Sequence, residues 1–475
     1  MAYPNSLVKG YLGATGQLTP EMRMKIDGAV ATGYQQLLTF EVEGGGFNWW
    51  VGSKSALVWL TAYGVMEFAD MERVLPIDRA VLDRASAFLF RTQAADGTWD
   101  QVGENHGERI NHLPDPKTTL TAYVAWSLGE SGYAGQPGTR RAVKFLESRI
   151  ADVKDTYALG LIVNALVAND SPEARRAVDE LARRAKVEGE TASWSGAATL
   201  SYAQGSGADV ETTALSAYAL LRSKSQIELA DKAVAWLIRQ RNSHGGWGST
   251  QSTILAIKAL IEQARQTGRG SGEATVSLKV NGKAVEGAFQ KITAKNNDVM
   301  QQVDVTDFVR PGENEIEIVR DGSARLSYQA AGRCYVPWRA DDDRAPEKPV
   351  LSIDVRYDKE RLLVTEKLAA TVRLDYAAPK PTFMVIAEVG VPPGFSAEAG
   401  SLDRLVEDGK IARYSTTARK ATLYFGEVRP GRIEVGFELK PKYAVKVRTE
   451  PATAYEYYTP ERKAESKPQA IEVAE

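Results

Sequence analysis

Cysteine and histidine are the scarcest reactive residues in this 475-residue chain. A single cysteine, Cys334, excludes an intramolecular disulfide and any zinc site built from several thiolates. Three histidines, His106, His112 and His244, exclude chemistry that needs a set of imidazoles. An excess of one charge is also missing: 59 Lys and Arg oppose 61 Asp and Glu, so a formal net charge of -2 gives no field for nucleic acid or anionic lipid. No apolar run reaches the roughly 20 residues of a membrane span, and the opening MAYPNSLVKGYLGATG lacks the basic and apolar regions of a signal peptide. Neither nucleic acid, nor a membrane span, nor a cofactor is expected.

What the chain does have is a repeated unit. An apolar helical run follows a glycine-aromatic turn at GGGFNWW (44–50), at DGTW (96–99) and at GGWGSTQ (245–251), and ASW (192–194) reads as a degraded further copy. A unit that cannot bury its own apolar face must stack on copies of itself. Helical spacing from Leu18 to about Thr267, with Thr19-Pro20-Glu21 as a capped start, predicts an all-α region of paired helices, an α/α toroid. Its tryptophans read as plugs between neighbouring pairs, scaffold and not chemistry.

The pattern then changes. After GRGSGE (268–273), ATVSLKVNGKAV alternates around an Asn281-Gly282 turn, which is a hairpin signal. Short strands continue to about Trp338, and a charged linker (339–349) leads to a second β region. That region, 350–460, carries six or more alternating strands and predicts a β-sandwich. The residues 461–475 are rich in Lys and Glu and are expected to be a disordered tail.

Three stretches, in this order, carry a family resemblance: PNSLVKGYLGATGQLTPEMRMKIDGAVATGYQQLLTF; GGWGSTQSTILAIKAL; and VIAEVGVPPGF with AYEYYTPER. They resemble the C-terminal part of the α2-macroglobulin and complement thioester-protein family. The resemblance implies a thioester-domain toroid (1–267), a CUB-like half module (274–338) split in the family by insertion of the toroid, and a receptor-binding sandwich (350–460). It implies an inhibitor of endopeptidases, extracellular or periplasmic, whose partners are target proteases, a receptor and the parent's macroglobulin domains. In that family a cysteine thiol is joined to a glutamine side chain in a GCxEQ motif, and a nucleophile on the captured protease is acylated. No GCxEQ occurs in this chain, and Cys334 has no Glu-Gln after it. The motif belongs just before the residues matching Met1 to Pro4, so the expectation is a C-terminal fragment, with native loss of the motif as the alternative. A bacterial source is expected from the want of disulfide cysteines.

The resemblance also implies a histidine that takes the acyl group first, in the loop QVGENHGERINHLPDPKTTLTAY. His106 fits that position better than His112, and an imidazole suits the transfer. A solvated loop histidine is the competing account. His244 lies in a glycine-rich turn and reads as structural. Asp341, Asp342 and Asp343 are consecutive linker acids and read as solvated, not as a metal site. Glu43, Glu104 and Glu108 show no pairing that singles out an acid and a base, and Lys440, Lys442 and Lys446 read as a solvated strand face or a receptor contact.

Two other functions remain open on the residues alone. One is a protein-interaction module without covalent chemistry. The other is an α/α-toroid enzyme, such as a polysaccharide lyase or a terpene cyclase. The cyclase motifs DxDD and DDxxD are missing from the toroid, residues 1–267 hold no cysteine for prenyltransferase zinc, and no toroid enzyme accounts for the appended sandwich.

Overall fold

A computed structural model describes residues 2–15, 18–100, 110–242, 246–267, 272–293, 296, 301–324, 326, 328, 330–332, 349–379 and 381–475. The chain begins with helices in sequence: α1 (Ala2–Ala14), α2 (Pro20–Leu38), α3 (Val58–Glu72), α4 (Arg79–Thr92), α5 (Pro116–Glu130), α6 (Pro137–Arg149), α7 (Thr156–Ala168) and α8 (Ala174–Arg183). A short hairpin, β1 (Lys186–Glu188) and β2 (Thr191–Ser193), precedes α9 (Gly205–Arg222), α10 (Ile227–Arg239) and α11 (Thr250–Thr267).

Burial sorts these helices into two rings. α3, α5, α7 and α9 are buried almost all round and pack in sequence, whereas α4, α6, α8 and α10 bury one stripe each against them. This is the α/α toroid. α1 was not anticipated as a helix; Tyr3 and Ser6 are buried on it, and it packs on α2 and α3.

The glycine-aromatic turns join the rings by one recurring geometry. The backbone N–H of the aromatic residue donates to a threonine hydroxyl of the following inner helix: Phe47 to Thr61 (2.9 Å), Trp99 to Thr121 (3.1 Å), Trp194 to Thr213 (3.0 Å) and Trp247 to Thr253 (3.2 Å). Each indole then donates to a leucine carbonyl of the preceding outer helix: Trp99 to Leu89 (2.7 Å), Trp194 to Leu181 (2.8 Å) and Trp247 to Leu237 (2.7 Å). The degraded copy at Ala192–Trp194 therefore keeps the full geometry. Glycine is required in the turn at Gly97, where φ is +85° and an added Cβ would lie 2.7 Å from the Arg141 carbonyl carbon.

The contacts divide the chain into two units, one made of 1–259 with 334–475 and the other of 260–333. The smaller unit holds β3 (Ala274–Val280), β4 (Lys283–Ala284) and β5 (Ile316–Gly322) in the order β4-β3-β5, all antiparallel. Asn281 (φ +51°) and Gly282 (φ +77°) form the hairpin turn that their sequence predicts. Its core is small, Ala274, Ile292 and Ala324, and Ile316 and Val319 stand exposed on β5.

The sandwich belongs to the larger unit. Its strands are β6 (Leu351–Tyr357), β7 (Arg361–Leu363), β8 (Leu368–Tyr376), β9 (Thr382–Gly390), β10 (Phe395–Ala397), β11 (Arg413–Thr416), β12 (Lys420–Val428), β13 (Gly431–Pro441), β14 (Val445–Arg448), β15 (Thr453–Glu456), β16 (Thr459–Glu465) and β17 (Ala470–Ala474). Sheets β10-β13-β8-β6 and β11-β12-β9-β15-β16 face each other across Val372, Leu374, Val385, Ala387, Leu423, Phe425, Val435 and Phe437. Helix α12 (Ala399–Glu407), absent from a strand-only reading, buries Leu402 and Leu405 at the edge of this core.

The disordered tail expected over 461–475 is overturned. β16 pairs with β15, while β17 runs antiparallel to β14 and parallel to β7. The reason is alternation hidden by composition: Ile471 and Val473 are buried, and the flanking charges point outward, where Glu472 pairs with Arg361 and Lys446.

Candidate functional site

The inner helices converge on a circuit of rings. Tyr3 packs on Tyr63 (centroids 5.7 Å), Tyr63 on Trp59 (6.2 Å), Trp59 on Tyr123 (6.3 Å), Tyr123 on Trp126 (5.8 Å) and Trp126 on Tyr218 (6.1 Å). Lys258 closes the circuit, with Nζ 5.9 Å from the Tyr218 centroid and 5.5 Å from that of Tyr3. Its ammonium donates to Asp70 Oδ2 (2.7 Å), which also accepts from the Tyr3 hydroxyl (2.8 Å), and Asp70 Oδ1 accepts from Arg73 (2.7 Å). Burial alone would raise the Asp70 carboxyl, but Lys258 first and then Arg73 and Tyr3 hold it below the ordinary range. Nearby Glu67 makes no ion pair among the described residues, and burial pushes it up to about 8, with the Asp70 charge adding to the rise.

A second aromatic cluster lies where the toroid meets the sandwich. The His112 ring stacks on Tyr202 at 4.5 Å and 18°, and Tyr202 stacks on Phe383 of β9 at 4.8 Å and 25°. Tyr458, beside Tyr457 (5.0 Å), also packs on Tyr202 at 5.9 Å. Burial dominates the raised pKa of Tyr63, with small further contributions from Glu67, Tyr123 and Tyr457. His112 Nε2 lies 2.8 Å from the Thr199 carbonyl oxygen; because a carbonyl only accepts, Nε2 carries the proton.

Both sides of the seam hold a non-glycine residue in the left-handed region. Tyr202 has φ +63° and Met384 has φ +60°. The β9–β12 ladder pairs Phe383 with Glu427 and Val385 with Phe425 but skips Met384, and the break in alternation leaves Phe383 half-buried against Tyr202. A conformation of this kind costs about 1–3 kcal/mol and persists where surrounding contacts impose it.

Beneath the seam, Glu211 on α9 is wholly buried. Its Oε1 accepts from Ser201 (2.5 Å), Ser252 (3.2 Å) and Ser249 (3.4 Å), while Oε2 has no hydrogen-bond partner. Burial lifts this carboxyl to about 7, against the lowering effect of the hydroxyls.

Of the residues singled out by sequence, His112 is the one the structure sets in the seam. His106, Glu104, Glu108, His244, Cys334 and Asp341–Asp343 fall outside the described residues. Glu43 is exposed in a turn, Lys440 and Lys442 are exposed on the sandwich, and Lys446 pairs with Glu472 at 2.9 Å. Among the described residues no group of three or more His, Cys, Asp or Glu could hold a metal, and no helix is long and apolar enough to cross a membrane. Sequence reasoning missed Tyr202, Phe383 and Glu211. Glu211 had a signal, a carboxylate placed directly before the uncharged helical run TTALSAYALL (212–221).

Similarity to known proteins runs the length of the chain. The family model of the A-macroglobulin TED domain matches residues 1–263, and that of the A-macroglobulin receptor binding domain matches 380–469. Ovostatin of Gallus gallus is 26% identical over 486 aligned residues, which cover 97% of this chain and 32% of ovostatin. The chain thus spans about a third of that relative's length. Among solved structures, Salmonella α2-macroglobulin reacted with methylamine superposes with a TM-score of 0.64 at 14% identity, over 99% of this chain and 30% of that one. Native Escherichia coli α2-macroglobulin, from domain MG7 to the C-terminus, gives a TM-score of 0.65 at 13% identity, over 99% of this chain and 72% of that one.

Proposed function

The chain belongs to the α-macroglobulin family, and from that premise we propose that it is the C-terminal part of an endopeptidase inhibitor that traps proteases, in the parent protein by covalent thioester capture. The observation that carries this reading is the aromatic seam. An acyl group more electrophilic than an amide survives only where water is kept out, and Tyr202, Phe383, Tyr457 and Tyr458 close the toroid against the sandwich with apolar surface. Ala2 and Tyr3 are buried at the start of α1, and Tyr3 packs on Tyr63, whose phenol interacts with Tyr457.

In this reading the chain's own residues supply housing and, at one position, acyl transfer. His106 is our candidate to take the acyl carbon from sulfur, release the thiolate and pass the acyl group to a protease hydroxyl. The His112 geometry supports that division of roles: with Nε2–H donated to Thr199 and the ring stacked on Tyr202, His112 serves as an anchor of the seam. The protein is then an inhibitor and not an enzyme, bacterial, and extracellular or periplasmic. Its domains would be the toroid (1–267), a CUB-like module (274–338) and the receptor-binding sandwich. Its partners are target proteases, the parent's macroglobulin domains and a receptor.

The test starts from the coding sequence upstream of Met1. An in-frame GCxEQ supports covalent capture, and a stop codon directly upstream rejects it. For the full-length product, methylamine treatment should abolish covalent attachment of a protease. Unchanged attachment rejects the thioester mechanism.

A further inference from the structure

We infer that Glu211 is a positioning residue for the seam: through Ser201 and Thr199 it holds the 199–203 turn in the form that stacks Tyr202 on the sandwich, and its ionisation loosens that turn. The inference concerns the chain as it stands and requires neither a thioester nor a protease.

The turn is built from both ends. Tyr202 N–H donates to the Thr199 carbonyl (3.0 Å), Thr199 N–H to the Ala203 carbonyl (3.2 Å), and Ala203 N–H to the Thr199 hydroxyl (3.1 Å). Its inward side chains run to Glu211, since the Thr199 and Ser201 hydroxyls lie 2.9 Å apart and Ser201 donates to Glu211 Oε1 at 2.5 Å. Its outward groups run to the seam, where Thr199 O meets His112 and the Tyr202 ring meets Phe383 and Tyr458. The 199–203 turn therefore connects a buried carboxyl to a domain contact. The left-handed backbone at Tyr202 means that the turn keeps its shape only while these bonds hold it.

Helix α9 makes the link a second time. It carries Glu211 and, in its first turn, Gly207, where an added Cβ would lie 3.3 Å from the Tyr458 carbonyl oxygen.

The surroundings favour the neutral acid. From α5 the Tyr123 phenol faces Glu211, from α7 the Tyr157 phenol, whose oxygen also accepts from Leu200 N–H (3.3 Å), and from the start of α11 Ser252, with Ser249 just before it. Glu67 of α3 and Asp155 beside α7 act on Tyr123 and Tyr157 respectively at longer range, Glu67 adding negative charge only as pH approaches about 8, and His112 stands beyond Thr199. Among the described residues Glu211 has no ion-pair partner, and an anionic Oε2 would be charged, buried and unpartnered. Opening the turn to water relieves that cost. A neutral carboxyl leaves only an uncharged Oε2–H unpartnered, which costs less than a buried charge.

Amide hydrogen exchange on the full chain, corrected for the intrinsic rate at each pH, tests this in peptides covering 198–210 and 455–463. Protection should fall as pH rises through about 7, with a slope of at most about tenfold per pH unit for one proton. E211Q should remove the step and leave the seam protected throughout. S201A should remove it while leaving Glu211 in place, which keeps the test decisive if E211Q does not fold. H112Q should retain it. A flat wild-type profile, a step that persists in E211Q or S201A, or one abolished only by H112Q overturns the inference.

Discussion

Lys258 and Asp70 meet through a 2.7 Å charge-assisted hydrogen bond although 188 residues separate them. Both side chains are buried, at 6% and 8% exposure, so the pair lies in the range where removing one partner costs more than the pair itself contributes. K258M should cost about 3–5 kcal/mol in denaturant unfolding, because Asp70 keeps its charge with only Arg73 and Tyr3 left. The double variant D70N/K258M should be less destabilised than K258M alone. Equal losses in the two would show that Asp70 is not stranded by the single change.

The two buried carboxyls of α3 give opposite pH signatures. Asp70 is held below its ordinary value, so its contribution is present above the unfolded pKa and is lost as pH falls through the folded one. Glu67 is raised from 4.5 to about 8, so its contribution is complete below 4.5 and disappears as pH rises through about 8. Thermal midpoints measured from about pH 5 to about pH 9 should therefore decline less on the alkaline side in E67Q than in the wild type. A variant curve parallel to the wild type would show that Glu67 does not titrate in that window.

Three tryptophans with one geometry should respond alike. W99F, W194F and W247F each leave a leucine carbonyl without its indole donor, at a cost of about 1–3 kcal/mol beyond the smaller ring volume. Urea midpoints read the loss. W194F is the informative member, since a mild effect there alone would mean that the degraded repeat has also lost its structural role.

The seam can be opened from the toroid side without touching its aromatic rings. In G207V the added branch meets the Tyr458 carbonyl, 3.3 Å from where the Cβ would stand. Limited proteolysis should cut faster near 455–463 while far-UV circular dichroism of the toroid is unchanged. An unaltered cleavage rate would mean that α9 yields at no cost to the contact.

The toroid was legible because its code is local. Glycine marks the turn at Gly97, tryptophan follows it, and the apolar spacing sorts inner from outer helices. Even the poor copy at Trp194 could be recognised, and it makes both repeat hydrogen bonds. Helix α12 was not seen between strands, and β17 was masked by lysines and glutamates that lie on its outer face and around it. The site was less legible. His112 stood out by scarcity, but its partner Tyr202 takes a left-handed turn without glycine, and Phe383 leaves the core through a break at Met384 that no residue type announces. Such contacts exist only once the toroid and the sandwich have been brought together.

The bond from Lys258 to Asp70 also sets an order of events during synthesis. A ring fastened between an early helix and its last one has no partly made version that is sealed. Tyr3 and Asp70 leave the ribosome long before Lys258, and at about 5–20 residues per second the 188-residue interval lasts roughly 10 to 40 s. For that time a buried carboxylate and the rings beside it face water or a chaperone. The arrival of Lys258 beside Tyr3 and Asp70 is thus also the moment at which the toroid interior first becomes dry.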